Sequence, residues 1–132
     1  MKKLILIIVL VIIGYMLYNY FFAPAREEAI EIGEDVVAET YAARQVEAKE
    51  MLRKAYQAQE SFHSQFGHYT YKFDSLGIEP EGTFYELKIK IAKITNFEIR
   101  AEGNIDNDGY LDIWVITENG KPYNLVNDIE KN

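Results

Sequence analysis

The stretch LKIKIAKITNFEIRAE, residues 87–102, decides the fold class. Apolar residues alternate with other residues on both sides of its centre, at Leu87, Ile89 and Ile91 and again at Phe97, Ile99 and Ala101. A period of two is typical of a β-strand with one buried face. Because Thr95-Asn96 between the two runs favours a tight turn, the stretch predicts an antiparallel hairpin with one apolar face.

The residues that follow predict further strands. Tyr110 to Thr117 is strand-like, and Tyr123 to Val126 forms a short last run. Asn119-Gly120 lies between them and is a strong hairpin signal, because both residues tolerate positive φ. We therefore expect an antiparallel meander of three or four strands.

A long helix is predicted before the sheet. From Arg26 to Phe66 there is no proline and one glycine, and the composition is rich in good helix formers. Gly67 is well placed to end this helix. Apolar residues recur at spacings of three, four and seven, at Ile30, Val37, Tyr41, Ala48, Met51, Ala55, Ala58 and Phe62. This pattern fits a coiled-coil seam, or a helix whose second half packs on the sheet, and we favour the sheet.

The segment Leu4 to Phe22 predicts a membrane helix. It has no charge over 19 residues, and at about 1.5 Å per residue it nearly spans a hydrocarbon core of roughly 30 Å. Lys2 and Lys3 precede it, which places the N-terminus in the cytoplasm and the rest of the chain outside, as a single-pass protein of the cytoplasmic membrane. Ala23-Pro24-Ala25 also resembles a signal-peptide cleavage site, so a cleaved signal is the alternative to a retained anchor.

These patterns together predict an α+β fold. A long N-terminal helix, first membrane-spanning and then amphipathic, packs on a small antiparallel sheet of three or four strands. We divide the chain into a transmembrane anchor helix (1–25), a long amphipathic helix (26–67) and a C-terminal antiparallel β head (68–132).

The composition excludes several classes of function. The net charge of −7 disfavours nucleic acid as a partner, because such binding needs lysine and arginine on the phosphates. The absence of cysteine excludes disulfides and thiolate chemistry. We also find no phosphate loop, nucleophile elbow or zinc-protease motif, so we expect neither an enzyme nor a small-molecule substrate.

The stretch GNIDNDGYLDIW, residues 103–114, has three interpretations. Asn104, Asp106, Asp108 and Asp112 are spaced like positions one, three, five and nine of a calcium loop, but Val115 stands at the twelfth position, where a bidentate carboxylate is needed. A catalytic carboxylate pair would need a cleft and a raised pKa. The third interpretation is a turn that joins two strands, because Asp and Asn bond their own backbone. We favour the turn, with Trp114 in the core, and keep those four residues as a calcium hypothesis.

Three features resemble the type IV pilins and pseudopilins. An apolar N-terminal helix runs past Pro24 into a long amphipathic helix. The stretch LRKAYQAQESFHSQFGHYTYKFDSLG, residues 52–77, is similar to the end of the pilin helix with its following glycine, Tyr-Thr pair and Leu-Gly pair. The pattern A-x-G-N-I-D-x-D followed by D-x-W-x-I, residues 101–116, is similar to a pattern in the pilin sheet.

This resemblance implies a structural role without catalysis. The head would lie outside the cytoplasmic membrane, and the chain would form homo- or hetero-oligomers with other pilin-like subunits, in a cell-surface filament or in the pseudopilus of a secretion system. Residues 4–22 lack the glutamate that the family pairs with a neighbouring amino terminus. Two alternatives stay open: a membrane-anchored module that binds calcium or another ligand, and a cleaved head chain of a split pilin.

Overall fold

The structure, a computed structural model, describes the backbone of residues 2–21 and 23–129 and the side chains of residues 7–20 and 39–129. The chain divides into two compact units, Met1–Glu39 and Thr40–Asn132, which we call the N-terminal and C-terminal units. The predicted division at residues 25 and 67 stays a prediction.

Two helices open the chain. Helix α1 covers Lys2–Phe21 and helix α2 covers Ala23–Phe66. Within the described residues, no helix combines the length and the apolar character that a membrane span requires, and part of the predicted span (residues 4–6, 21 and 22) lies outside the described side chains. Gly67 ends α2 as predicted, with φ at 76° and its N–H donated to the carbonyl of His63 at 2.8 Å.

The sheet has four strands in the order β1-β2-β3-β4, and each neighbouring pair is antiparallel. A short helix α3 (Phe73–Leu76) precedes β1 (Glu86–Ala92), β2 (Phe97–Gly103), β3 (Asp112–Thr117) and β4 (Tyr123–Val126). The predicted α+β architecture with an antiparallel meander is confirmed. Strand β3 begins two residues later than predicted, because residues 104–110 form a structured loop.

The second half of α2 packs on the sheet. Its buried stripe includes Ala48, Leu52 and Ala55, each fully buried. The sheet contributes Leu87, Phe97, Ile99, Ala101 and Ile116 to the same core. Burial of each large side chain contributes about 1.5–3 kcal/mol, so this half of α2 is a core element, as we expected, rather than a free coiled-coil seam.

A fully buried glutamine fixes the chain just after α2. The side chain of Gln59 donates from Nε2 to the carbonyl oxygen of Thr70 at 2.7 Å, and its Oε1 accepts the backbone N–H of Thr70 at 3.0 Å. Both backbone groups of a buried residue are thereby satisfied by one amide, which fits the requirement that buried polar groups be paired. The loop is held against the helix by this pair of bonds.

The outer face of the sheet carries paired like charges. Glu86 lies opposite Glu102, and Lys88 lies opposite Arg100, which is unfavourable for direct neighbours. A diagonal ion pair offsets this, because Lys88 Nζ lies 2.7 Å from Glu102 Oε2 and Lys90 Nζ lies 3.7 Å from Glu102 Oε1. Burial acts to raise the pKa of Glu102, but the neighbouring cations lower it overall.

Candidate functional site

A buried aspartate lies at the start of β3. Asp112 is fully buried and stands opposite Gly103 in the β2–β3 ladder. A Cβ atom at Gly103 would collide with the carbonyl oxygen of Phe84 and would lie 2.8 Å from Cδ1 of Tyr85. Glycine at this position therefore leaves room for the Tyr85 segment, whose hydroxyl group reaches Asp112.

Five hydrogen bonds reach the carboxylate of Asp112. Oδ2 accepts from the Tyr85 hydroxyl (2.6 Å) and the Trp114 indole N–H (2.8 Å), and Oδ1 accepts at 3.1 Å from the Gln45 side chain, the Asn124 side chain and the Asp128 backbone N–H. We call these six residues the Asp112 network. It ties α2 to the segment before β1, to β3, to β4 and to the residues after β4.

The Asp112 network is a structural element. A carboxylate offers about four lone-pair sites, so five donors leave this group no capacity for a metal ion. Hydrogen bonds to a charged acceptor are stronger than neutral ones, and they satisfy a charge that would otherwise be costly to bury. Burial, and then the bond to Asp112, raise the pKa of Tyr85 well above its ordinary value. Tyr85 therefore stays a donor throughout the physiological range.

Trp114 was predicted to anchor the core. Its side chain is only half-buried, and it packs against the core cluster. Lys49 Nζ lies 4.5 Å from the centre of its ring, which is a cation–π contact. Its indole N–H belongs to the Asp112 network. Trp114 therefore anchors the unit through a polar bond as well as through packing.

The loop between β2 and β3 is built from local side-chain to backbone bonds. Asn104 donates from Nδ2 to the carbonyl of Asp108 at 2.6 Å and accepts the N–H of Asn107 at 2.8 Å. Asp106 Oδ1 accepts the N–H of Asp108 at 3.1 Å, and Asp108 Oδ1 accepts the N–H of Tyr110 at 2.6 Å. Asn107 has φ of 69°, a left-handed conformation that asparagine tolerates. This is the strand-joining turn that we favoured from the sequence.

Two contacts fasten this loop to the rest of the C-terminal unit. Ile105 is buried in the core, and its carbonyl oxygen accepts a hydrogen bond from the guanidinium group of Arg44 on α2. The same guanidinium group lies 4.8 Å from the ring centre of Phe84. The loop is therefore held at its buried side by Ile105.

Three carboxylates meet where this loop faces the segment after β4. One oxygen each from Asp106, Asp108 and Asp128 can be chosen so that all three lie within 4.8 Å of one another. Asp128 is fully buried, and within residues 39–129 neither of its carboxylate oxygens has a hydrogen-bond donor. Desolvation, and then the negative charges of Asp106, Asp108 and Asp112, raise the pKa of Asp128. The Oδ1 atom of Asn124 is another buried oxygen for which the described residues supply no donor.

The four residues of the calcium hypothesis have different roles in the structure. Asp106 and Asp108 come together. The side chain of Asn104 is used by the turn, and the carboxylate of Asp112 is filled by its five donors. The third acidic partner is Asp128, which sequence spacing missed because it joins the loop only through the tertiary fold.

One solved structure supplies a comparison for the fold. The chain is similar to a crystal structure of the non-core minor pilin PilV from Neisseria meningitidis, with a TM-score of 0.57 and 18% sequence identity, over 69% of this chain and 92% of that chain. No protein-family model matches the chain, and no curated protein matches it either. The fold is therefore type IV pilin-like, as the sequence patterns at residues 52–77 and 101–116 indicated.

Proposed function

We propose that this chain is a pilin-like structural protein, a subunit or accessory component of a cell-surface filament or of a pseudopilus like that of type II secretion. This chain has a long helix packed on a four-stranded meander. The observation that carries the proposal is the similarity of its fold to that of a minor pilin. In this role the C-terminal unit is displayed, and assembly uses the N-terminal helix.

The side chains of α1 support an assembly role. The large apolar residues between Ile7 and Tyr20 are 45–76% exposed in the isolated chain. A continuous apolar surface of this kind needs a cover, because its exposure to water is unfavourable. Lipid and the same helix of neighbouring subunits are the two covers that fit a pilin-like protein. We propose that the helix is anchored in the cytoplasmic membrane, with Lys2 and Lys3 inside and the C-terminal unit outside.

The lack of a glutamate in residues 4–22 is compatible with assembly. A buried ion pair loses much of its Coulombic gain to desolvation, and apolar residues can replace such a pair at little net cost. We propose that these subunits associate through apolar packing of α1, without the carboxylate that the family usually pairs with a neighbouring amino terminus.

The acidic residues support a structural rather than a catalytic role. The carboxylate of Asp112 accepts the hydrogen bonds of its network, and that of Glu102 forms ion pairs with two lysine residues. Glu47 accepts hydrogen bonds from the backbone N–H groups of Thr83 and Phe84. Side chains held in this way are poor candidates for proton transfer. We therefore propose that the protein is not an enzyme and takes no small-molecule substrate.

Electron microscopy of the purified native protein tests the assembly role. Disulfide cross-linking then tests whether α1 forms the contact between subunits. The chain has no cysteine, so Leu10→Cys places a single thiol on the apolar face of α1, and Lys121→Cys places one on an exposed loop as the control. We expect rods or filaments, and disulfide-linked dimers from the α1 variant only. Dispersed particles, together with equal cross-linking of the two variants, would contradict the proposal.

A second experiment tests the need for an apolar α1. Ile12→Lys introduces a charge that costs about 2.5–3.5 kcal/mol at the centre of a membrane helix, whereas Ile94→Lys changes an exposed turn of the C-terminal unit. The first variant should lose membrane retention and assembly, and the second should keep both. Sequencing of the mature N-terminus separates a retained anchor, starting at Met1, from a cleaved head chain, starting near Arg26.

A further inference from the structure

We propose that Asp106, Asp108 and Asp128 bind one calcium ion, which fastens the segment after β4 to the loop between β2 and β3. The three carboxylates come from positions that the sequence separates by up to 22 residues, and the fold alone brings them together. This site differs from the calcium hypothesis drawn from the sequence, because Asp128 takes part and Asp112 does not. The proposal is independent of the filament role.

The spacing of the oxygens fits calcium. Calcium binds oxygen at about 2.3–2.6 Å, so two ligands on opposite sides of the ion lie up to about 5 Å apart. The three carboxylate oxygens lie within 4.8 Å of one another and can surround such an ion without rearrangement of the backbone. Magnesium binds at about 2.0–2.1 Å, demands a near-ideal octahedral arrangement and gives up its water reluctantly, so it suits a site of several protein carboxylates less well than calcium does.

The burial of Asp128 is the second, independent observation. Its side chain is fully buried, and its two carboxylate oxygens find no donor in the part of the chain that the structure describes, whereas buried polar groups are almost always paired. A buried carboxylate near other carboxylates needs either a proton or a cation. Among the described residues, the charged groups that raise the pKa of Asp128 are themselves acidic. A divalent cation satisfies all three carboxylates together, which one proton cannot do.

The protein holds the three ligands in position. The hydrogen bonds of the turn fix Asp106 and Asp108, and the backbone N–H of Asp128 is fixed by Asp112. A carboxylate has about four lone-pair sites, so a single hydrogen bond to an Asp106 or Asp108 oxygen does not prevent coordination. Water molecules or carbonyl oxygens would complete the six to eight ligands that calcium takes. The ion would thus hold Asp128, in the segment after β4, against the loop between β2 and β3.

Thermal unfolding of the full chain in a non-ionic detergent tests this inference. Trp114 is the only tryptophan, so its fluorescence reports unfolding of the C-terminal unit. A ligand that binds only the folded state raises the unfolding temperature, by roughly 10 °C or more at a hundredfold excess over its Kd for a unit of this size. We expect such a rise with calcium chloride and a smaller rise with magnesium chloride at equal concentration, both relative to the chelated protein.

Two variants decide whether this site is responsible. Asp128→Asn should abolish the calcium shift, and Asp74→Asn, the same change on the exposed helix α3, should keep it. Asp108→Asn replaces Asp128→Asn if the latter does not give a cooperative unfolding transition, and it should also lose the shift. Terbium luminescence gives the stoichiometry, expected to be one ion per chain that calcium displaces. No shift with millimolar calcium, or an equal shift in the ligand variants and the control, would overturn the proposal.

Discussion

Replacing Asp112 by asparagine is expected to destabilise the C-terminal unit by about 3 kcal/mol. The substitution preserves the shape of the side chain but removes its charge and converts one acceptor oxygen into a donor amino group. If the amide oxygen takes the place of Oδ1, its three donors keep an acceptor, but the indole N–H of Trp114 then faces an amino group. The Tyr85 hydroxyl can rotate and accept a hydrogen bond from this amino group. The indole N–H of Trp114 can only donate, so it loses its acceptor.

The magnitude follows from the bonds that are lost. A hydrogen bond to a charged group contributes about 1.5–3 kcal/mol, and the bonds that remain become weaker when the acceptor is neutral. The opposite orientation of the amide is worse, because it leaves three donors without an acceptor on the side of Oδ1. For a unit of this size, about 3 kcal/mol corresponds to a fall in Tm of roughly 12–24 °C.

The assay is thermal unfolding of the full chain, followed by the fluorescence of Trp114 and by near-ultraviolet circular dichroism. Asp74→Asn is the matched control, because it makes the same chemical change on an exposed residue. It should lower Tm by no more than a few degrees. If Asp112→Asn and Asp74→Asn unfold within about 3 °C of each other, the five hydrogen bonds to Asp112 do not contribute about 3 kcal/mol to the stability of the unit.

Three further changes should affect stability in the same assay. Gln59→Leu should cost about 2–3 kcal/mol, because two buried backbone groups lose their partner, whereas Gln57→Leu on the exposed face of α2 should be nearly neutral. Gly103→Ala should destabilise by about 1–3 kcal/mol, the usual cost of overpacking. At Gly109 an added Cβ meets no atom of the described residues within 4 Å, so Gly109→Ala should change stability by less than about 1 kcal/mol. Glu102 has a lowered pKa, so the stability it contributes is present above its unfolded pKa and is lost as pH falls through its folded pKa. Glu102→Gln should therefore be less stable than the native chain at neutral pH and should approach it at acidic pH. A difference that stays constant with pH would contradict the ion-pair account.

The elements of the fold could be predicted because each has a local cause. Period-two alternation identified β1 and β2, Asn119-Gly120 identified the last hairpin, and Gly67 gave the end of α2. These signals arise within a few residues of the element they specify. The start of β3 was less well predicted, since the Asp and Asn side chains of residues 104–110 extend the turn at the expense of the strand.

The polar residues of the site could be predicted only in part. Gln45 interrupts the apolar stripe of α2 seven residues before Leu52, and that break in a buried stripe was the available signal for it. No comparable signal marks Asp128. Its burial depends on how β4 pairs with β3, including a register shift between Ile113 and Trp114, and no spacing rule in the sequence contains that information.

The Asp112 network also has a consequence for the order of folding. Its donors lie at Gln45, Tyr85, Trp114, Asn124 and Asp128, so its carboxylate is fully satisfied only when the chain is available through residue 128. During synthesis or export, α2 and the β1–β2 hairpin emerge earlier and can form from local contacts. Until the last donors arrive, Asp112 must stay hydrated, which keeps this corner of the unit open. The C-terminal unit is therefore expected to gain its full stability late, in one step, rather than gradually as the chain lengthens.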